Sequence, residues 1–483
     1  MRIRILLCVF LLASLFSQSQ DFSNKGTDFW LGYGYHVRYV TGSPINGQEM
    51  VLYIATEAVT NVTVSIPALG YSQTYNNIPA NTIFTTNPIP KAGAQDARLT
   101  TEGISSKGIH VTSSKPVVAY THIYNSNVSG ATLLFPTNTL GREYYSVNFD
   151  QYSNEGSSNC FFFVVATDTG TTTIEVIPSK NTQTMVAGTV YSYNLTQGQI
   201  LNVLGTISGN NGVDLTGSKI RSVSTGSGAC KRIAVFSGSG KINIRCPNAA
   251  STASADNYLV QAFPQSAWGK KYLTTQTVNY PRSYYRVCVQ DPSTIVKLNG
   301  TIMTGLVGNF YYQFENAMPN YIEADKPIMV AQYIPSQGQC GGTGNGDPEV
   351  IYLSPLEQNI GNVILNSTSN FQITAHYINV VIPTGGVSSF RLDGNVPSSA
   401  FVPHPELAGY SYLRQNVVAG QHTILSDSGF NAIAYGYGSA ESYGYNAGSN
   451  ILDLYQYVTL QNQYASVNFP ATCKGTPFRF SIT

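Results

Sequence analysis

The chain has 483 residues, a net charge of +1 and a charged fraction of only 11%, against ~25% in ordinary soluble proteins. Hydrophobic residues make up 42%, which is enough for a packed core and excludes general disorder. The near-neutral balance gives no reason to expect a nucleic-acid partner. The 33 tyrosines and 44 glycines are instead typical of secreted β proteins.

The N-terminus has the parts of an export signal. Arg2 and Arg4 form a basic segment, an apolar run follows up to Phe16, and small residues precede a cleavage site after Ser19. We therefore expect residues 1–19 to be a signal peptide and the mature chain to be secreted or displayed at the cell surface. No later run reaches ~18 apolar residues, so we expect no membrane span.

Short β-branched runs bounded by Gly, Pro or Asn dominate the mature chain. Val51–Thr56 and Val62–Ile66 form one such pair, and Phe161–Thr167 with Thr172–Ile177 form another. Runs of this kind predict strands joined by tight turns. No amphipathic helix longer than two turns is evident, so the sequence predicts an all-β fold.

A repeated phrase divides residues 20–460 into tandem units. A Gly followed by a strand start occurs at Gly26, Gly141, Gly269 and Gly361, and a second phrase of the type Lys115-Pro-Val-Val-Ala-Tyr recurs later in the units. Self-similarity at a fixed period indicates a repeat architecture, here with four units of about 90–130 residues.

Each unit is long enough for seven or eight short strands. Two four-stranded blades per unit would give an eight-bladed β-propeller-like closed ring, and the alternative is a series of tandem β-sandwiches. No Pro/Ser-rich linkers separate the units, which favours the ring, since separate domains usually have flexible boundaries. A ring also hides sheet edges.

The tail departs from the repeat. Residues 461–483 resemble the first strands of a further β-sandwich domain that is then cut short. We therefore expect the chain to belong to a longer multidomain protein.

Six cysteines follow the signal segment, and one pair is singled out by its spacing. Cys230 and Cys246 bracket a run that resembles a hairpin turning at 237–240, and such a hairpin brings its ends together. We predict a disulfide between them, worth ~3 kcal/mol in the chain-entropy model. The alternative is two buried free thiols.

Acidic residues recur at matching places in the units. Asp256 and Asp347 both precede the last strand of a unit, and the segment that ends at Glu349 is the one loop that gathers carboxylates. Asp347 and Glu349 are therefore candidate ligands for Ca²⁺, which prefers several oxygen atoms. The alternative is that these side chains cap turns. We expect no other cofactor.

Aromatic residues provide the predicted ligand-binding surface. Tyrosines interleaved with glycine supply large rings at low entropic cost, as in recognition loops, and they also stack on sugars. Core packing is the alternative for tyrosines that alternate along a strand. The candidate binding residues are Tyr33, Tyr35, Tyr39, Tyr435, Tyr437, Tyr443 and Tyr445.

Motifs of catalysis are missing from the sequence. There is no His-Glu-x-x-His, no Gly-x-Ser-x-Gly and no phosphate-binding loop between a strand and a helix. We therefore assign no catalytic residue and expect a protein that is not an enzyme.

Three segments carry a resemblance to a known family. Gly26–Gly32, Leu52–Glu57 and Gly108–Tyr120 resemble the N-terminal domain of the IgG Fc-binding protein family, and the likeness extends over residues 25–460. The resemblance implies a secreted or surface-bound binding module. The chain is similar to bacterial, Bacteroidota-like members of the family, in which this domain precedes repeated sandwich domains. The matched phrases include no Fc-contacting residues.

These observations favour a non-enzymatic extracellular binding or adhesion module for a glycan, a glycoprotein or a surface protein. One alternative is a carbohydrate-active enzyme on a propeller scaffold, which would gather carboxylates and histidines with perturbed pKa values in one cleft. Another is a structural spacer of a larger surface protein, which would show neither a binding face nor a catalytic cleft.

Overall fold

The computed structural model describes residues 22–41, 45–125, 128–224, 230–246 and 253–455, and the backbone of three strands beyond them. Strands make up 52% of the chain, which confirms the all-β prediction. The predicted signal peptide lies outside the described residues. Within the described ranges the only helical turns are of the 3-10 type, at Val37–Tyr39, Pro67–Leu69, Gly93–Gln95, Thr137–Thr139, Gln265–Ala267, Leu356–Gln358 and Thr384–Ser389.

The first unit forms an antiparallel sheet around one long strand. Its strands are β1 (Gly26–Leu31), β2 (Glu49–Thr56), β3 (Thr60–Ile66), β4 (Tyr71–Ile78), β5 (Thr82–Thr85), β6 (Gly103–Ser105), β7 (Ile109–Tyr124) and β8 (Gly130–Leu133). The first part of β7 pairs with β1 and β3, and its last part pairs with β2 and β8. The unit is therefore two sub-sheets that share β7.

The second unit divides this arrangement between two sheets. Its strands are β9 (Glu143–Tyr145), β10 (Cys160–Ala166), β11 (Thr171–Ile177), β12 (Tyr191–Thr196), β13 (Ile200–Leu204), β14 (Ile207–Ser208), β15 (Asn211–Gly212), β16 (Lys219–Val223), β17 (Ile233–Ile242) and β18 (Asp256–Gln261). One sheet has the order β12-β11-β16-β9 and the other β18-β17-β10-β13-β6. Strand β6 comes from the first unit, so the two units share a sheet.

The third unit repeats the plan of the first. Its strands are β19 (Gly269–Thr274), β20 (Ser283–Val289), β21 (Val296–Leu298), β22 (Thr301–Ile302), β23 (Tyr311–Asn316), β24 (Asn320–Ile334) and β25 (Glu349–Tyr352). The long strand is β24. Its first part pairs with β19 and β21, and its last part pairs with β20 and β25.

The fourth unit is built on the longest of these strands. Its strands are β26 (Ile360–Ser367), β27 (Ile373–Pro383), β28 (Arg391–Leu392), β29 (Val402–Pro403), β30 (Tyr410–Val417), β31 (Gly420–Gly438) and β32 (Glu441–Gly448). Strand β31 pairs first with β26 and β28, then with β27 and β32. A separate sheet of order β34-β33-β35 follows, formed by β33 (Val458–Asn462), β34 (Ser466–Val467) and β35 (Phe478–Ile482).

In three units, the opening glycine packs against a proline near the end of the same unit. A Cβ atom on Gly26 would lie 2.2 Å from the Cβ of Pro136, at the end of the same unit. The corresponding distances are 2.4 Å from Gly141 to Pro264 and 2.3 Å from Gly269 to Pro355. The repeated phrase therefore begins with glycine because the backbone approaches a proline ring too closely for any side chain.

The four units contact one another through their last strands. Strand β8 contacts β18 and β32, and β25 also contacts β18 and β32. The N-terminal segment joins the end of the fourth unit, where Ser23 and Asn450 form an antiparallel bridge and the Ile451 N–H donates to the Phe22 carbonyl at 2.7 Å.

One buried apolar cluster contains residues of all four units, which does not fit separate sandwiches on a string. The described sheets of the four units contain seven, five, four or two strands, rather than forming eight separate four-stranded blades. The closed eight-bladed ring therefore stays a prediction. So does the further sandwich domain at 461–483, for which the structure describes only backbone strands.

The predicted disulfide between Cys230 and Cys246 is wrong. Cys246 bonds instead to Cys340 of the third unit, and Cys230 is free. The reason is that the expected hairpin does not form, because β17 continues as one extended strand through the Gly-rich segment. The disulfide therefore links the second and third units.

Candidate functional site

The first tyrosine group lies in the interior, against the second unit. Tyr33, Tyr35 and Tyr39 are all buried, and their rings meet edge to face at centroid distances of 5.6–6.1 Å. The Tyr35 hydroxyl donates to the Ser157 carbonyl at 2.9 Å, and its ring contacts Phe161. These rings are therefore not exposed, as a ligand-binding surface would require.

The second tyrosine group lies on paired strands rather than in a loop. Tyr435 and Tyr437 belong to β31, Tyr443 and Tyr445 belong to β32, and all four are buried. The Tyr435 hydroxyl donates to the Asn379 side chain at 2.8 Å. The loop placement was therefore wrong, and direct ligand contact by these rings stays an untested prediction.

An open cleft lies where the unit junctions meet the end of the fourth unit. Its volume is about 640 Å³. The lining comes from the segment between the first two units, from the segment between the second and third, from the residues after β32, and from single residues elsewhere, among them Arg232 and Gln290. Its main polar side chains are Arg142, Glu143, Arg232, Gln265, Gln290 and Asp453.

Two arginines give this cleft its positive groups. Arg142 and Arg232 are exposed, and the backbone holds them on neighbouring segments, since the Ile233 N–H donates to the Gly141 carbonyl at 3.1 Å. Neither guanidinium forms an ion pair with a carboxylate among the described residues. Glu143, in contrast, is paired with Lys219. The cleft can therefore offer two guanidinium groups to an acidic ligand.

A second feature is a buried acidic cluster at the point where all four units meet. Asp256, Asp347, Glu349 and Glu441 are each 0% exposed, and we call them the junction carboxylates. Asp256, Glu349 and Glu441 are the first residues of β18, β25 and β32, so the three corresponding strands place them together.

Hydrogen bonds join the four units at this cluster. The Asp256 carboxylate accepts from the backbone N–H of Ser129 in the first unit and from that of Ser442 in the fourth unit. The Ser129 hydroxyl donates to the Ser442 carbonyl at 2.6 Å, and the Ser442 hydroxyl donates to the Asp347 carbonyl at 2.8 Å. Ser254 donates to the Asp347 carboxylate.

Burial raises the pKa values of all four junction carboxylates, and repulsion by neighbouring carboxylates adds to the rise for Asp256 and Glu441. Burial is the main cause that raises the pKa of Asp347 to about 7, while the hydrogen bond from Ser254 opposes the rise. Burial and then the charge of Asp347 raise the pKa of Glu441 to about 9. The pKa values of Asp256 and Glu349 are also raised, chiefly by burial.

The structure brings the predicted pair Asp347 and Glu349 into this cluster, together with Asp256, which recurs at a matching place in the sequence. Glu441 was missed. The signal that could have found it is positional, because Glu441 begins the last strand of its unit just as Glu349 does. Metal binding by Asp347 and Glu349 stays a prediction.

A different set of ligand-type side chains lies closer together. Among the described residues, Cys246, Glu315 and Cys340 are the one group of three whose ligand atoms all lie within 4.8 Å of one another. The two sulfur atoms form a disulfide, which removes the thiolates that a metal would need.

No described helix is long and apolar enough to cross a membrane.

A family model described as "IgGFc binding protein" matches residues 130–436, more than half of the chain. No curated protein matches the chain significantly.

Proposed function

Because this chain belongs to the IgGFc binding protein family, we propose that it is a non-enzymatic extracellular module that binds a protein partner. The family match is the observation that carries the proposal. The Cys246–Cys340 disulfide supports an oxidising, extracellular location, whether secreted or at the cell surface.

We assign the cleft that holds Arg142 and Arg232 as the recognition surface. The open shape admits a macromolecule, and the two unpaired guanidinium groups favour carboxylates, since arginine binds them through two parallel hydrogen bonds. The partner is then an acidic protein or the acidic glycan of a glycoprotein.

The positions of the perturbed groups support binding rather than catalysis. The junction carboxylates have strongly raised pKa values, yet they are buried and do not line the cleft. A glycosidase needs two carboxyl groups that reach its substrate. An enzyme on this scaffold, or a structural spacer, is the alternative that the binding experiment separates from the proposal.

We further propose that the four units close into a propeller-like ring. The cyclic contacts of β8, β18, β25 and β32 support this arrangement, and so does the bridge between Ser23 and Asn450. A closed ring holds the three cleft-forming junctions rigidly in place, which lowers the cost of ordering a binding surface.

The binding proposal can be tested by biolayer interferometry with the full chain immobilised. The probes are immunoglobulin G, its Fc fragment, an acidic mucin-type glycoprotein and the same glycoprotein after desialylation. We expect saturable binding to at least one probe, and we expect the double substitution Arg142→Glu with Arg232→Glu to weaken it at least tenfold.

The matched control carries the same change of charge elsewhere. Lys180→Glu with Arg414→Glu alters two exposed cations outside the cleft and should leave binding unchanged. Binding to none of the probes contradicts the proposed function. Equal loss in both double variants contradicts the assignment of the cleft and indicates a general electrostatic effect.

A further inference from the structure

The junction carboxylates come from three units, and few positive charges lie near them. The side chains of Asp256, Asp347, Glu349 and Glu441 interact electrostatically, and Lys241 is the cation that faces Asp347 and Glu441. The Lys241 ammonium is already bound to Glu155 at 2.9 Å. Four carboxyl groups therefore share less than one compensating positive charge.

Unpaired oxygen atoms point to a missing partner. Both carboxylate oxygens of Glu441 are buried without a hydrogen bond, and the same is true of Asp347 Oδ2 and Glu349 Oε2. A buried carboxylate without a donor is costly unless a proton or a cation neutralises it. The serine and backbone groups of the junction satisfy only the other oxygens.

We propose that the junction carboxylates bind a hard divalent cation of the Ca²⁺ type. Carboxylate oxygens are the ligands that such ions prefer, and carbonyl, hydroxyl or water oxygens complete the shell. No three of the four carboxyl groups lie within 4.8 Å of one another. An ion therefore takes at most two of them directly in this arrangement, and the others balance its charge.

This site goes beyond partner recognition, because it acts on the scaffold. Asp256, Glu349 and Glu441 come from three units, and Ser129 of the first unit is hydrogen-bonded to Asp256. A cation at this point replaces repulsion between the units with attraction. It stabilises the folded chain by mass action, since the unfolded chain has no such site.

The experiment compares thermal unfolding of the full chain in EDTA and in Ca²⁺ or Mg²⁺ at pH 8, where protons compete least. We expect Ca²⁺ to raise the midpoint by about 3 °C at a hundredfold excess over Kd. Direct binding is measured with Tb³⁺, whose luminescence is excited through nearby tyrosine. Tyr280, which interacts with Asp347, is the expected donor.

Two variants separate binding from folding. Glu441→Gln keeps the shape of the side chain and removes one charge, so it should reduce the Ca²⁺ shift by at least half without lowering the midpoint in EDTA. Asp427→Asn, an exposed carboxylate of the same unit, should keep the full shift.

The proposal is overturned by two results. One is a midpoint that responds to neither cation, together with the absence of sensitised Tb³⁺ luminescence, which would mean that protons alone neutralise the cluster. The other is an equal shift in the wild type and in Glu441→Gln, which would place the ion elsewhere. Neither result bears on binding at the cleft.

Discussion

Arg286 of the third unit donates to the Asp214 carboxylate of the second unit at 2.5 Å, and its side chain is completely buried. The same guanidinium donates to the Asn148 carbonyl and stacks over the rings of Phe149 and Tyr311. This arginine therefore fastens the two units that the disulfide also links.

Replacing Arg286 should destabilise the chain strongly. Arg286→Met leaves Asp214 without its partner in a largely buried place, and loss of one member of a buried pair costs about 3–5 kcal/mol. Urea denaturation measures the change in the free energy of unfolding. The control is Arg221→Met, which breaks the more exposed pair with Glu175 and should cost at most about 1 kcal/mol. Equal effects would contradict the structural role of Arg286.

Adding a methyl group at Gly269 should disturb the contact between the start and the end of the third unit. Gly269→Ala places a Cβ 2.3 Å from the Cβ of Pro355, and overpacking of this kind costs about 1–3 kcal/mol. Gly385→Ala is the matched control, since no atom lies within 4 Å of its Cβ. Thermal unfolding should separate the two, and an unchanged midpoint for Gly269→Ala would show that the proline contact is unimportant.

Stability should fall as the pH rises when metal is removed. The folded chain keeps protons on Asp347 and Glu441 that the unfolded chain has already released, because their folded pKa values are about 7 and about 9. The stabilisation is complete below the unfolded pKa of ~4 and is lost as the pH rises through these values. Burial and then the charge of Asp347 also raise the pKa of Tyr280, so this group contributes with the same sign.

Urea denaturation in EDTA at acidic, neutral and alkaline pH measures this dependence. Glu441→Gln should flatten the profile, and Asp427→Asn should leave its slope unchanged. Rising stability between neutral and alkaline pH would show that the carboxyl groups are ionised in the folded chain.

Peptide mapping without reduction should recover Cys246 linked to Cys340. Their sequence separation is 94 residues, so Cys340→Ser should lower the free energy of unfolding by about 2–5 kcal/mol. Cys230 should react with an alkylating reagent in the folded chain, whereas Cys160 and Cys288 are buried and should react only after unfolding. A peptide that links Cys230 to Cys246 would contradict the structure.

The all-β class could be predicted because short β-branched runs bounded by turn residues recur along the chain. The glycines within strands misled the prediction. Gly238 lies in β17 because the Phe161 ring occupies the place of its side chain, and Gly436 lies in β31 because the Tyr443 ring does the same. From a single sequence, a glycine that leaves room for a neighbouring aromatic ring cannot be distinguished from a glycine that allows the backbone to turn.

The candidate site was predictable only in part for a related reason. Asp347 and Glu349 stand close together in the sequence, but Glu441 joins them through contacts between different units. Arg142 and Arg232 are likewise 90 residues apart by number and meet because the Ile233 N–H bonds to the Gly141 carbonyl. Long-range pairing of this kind leaves no local pattern.

In the first three units, the contact between the opening glycine and its proline can form only after the whole unit has been synthesised. The first unit cannot complete itself until Pro136 has emerged, more than a hundred residues after Gly26, and the second waits in turn for Pro264. The fourth unit has no such proline, and its end joins the earliest described residues instead. The bridge between Ser23 and Asn450 is therefore the last of these closing contacts that the growing chain can make.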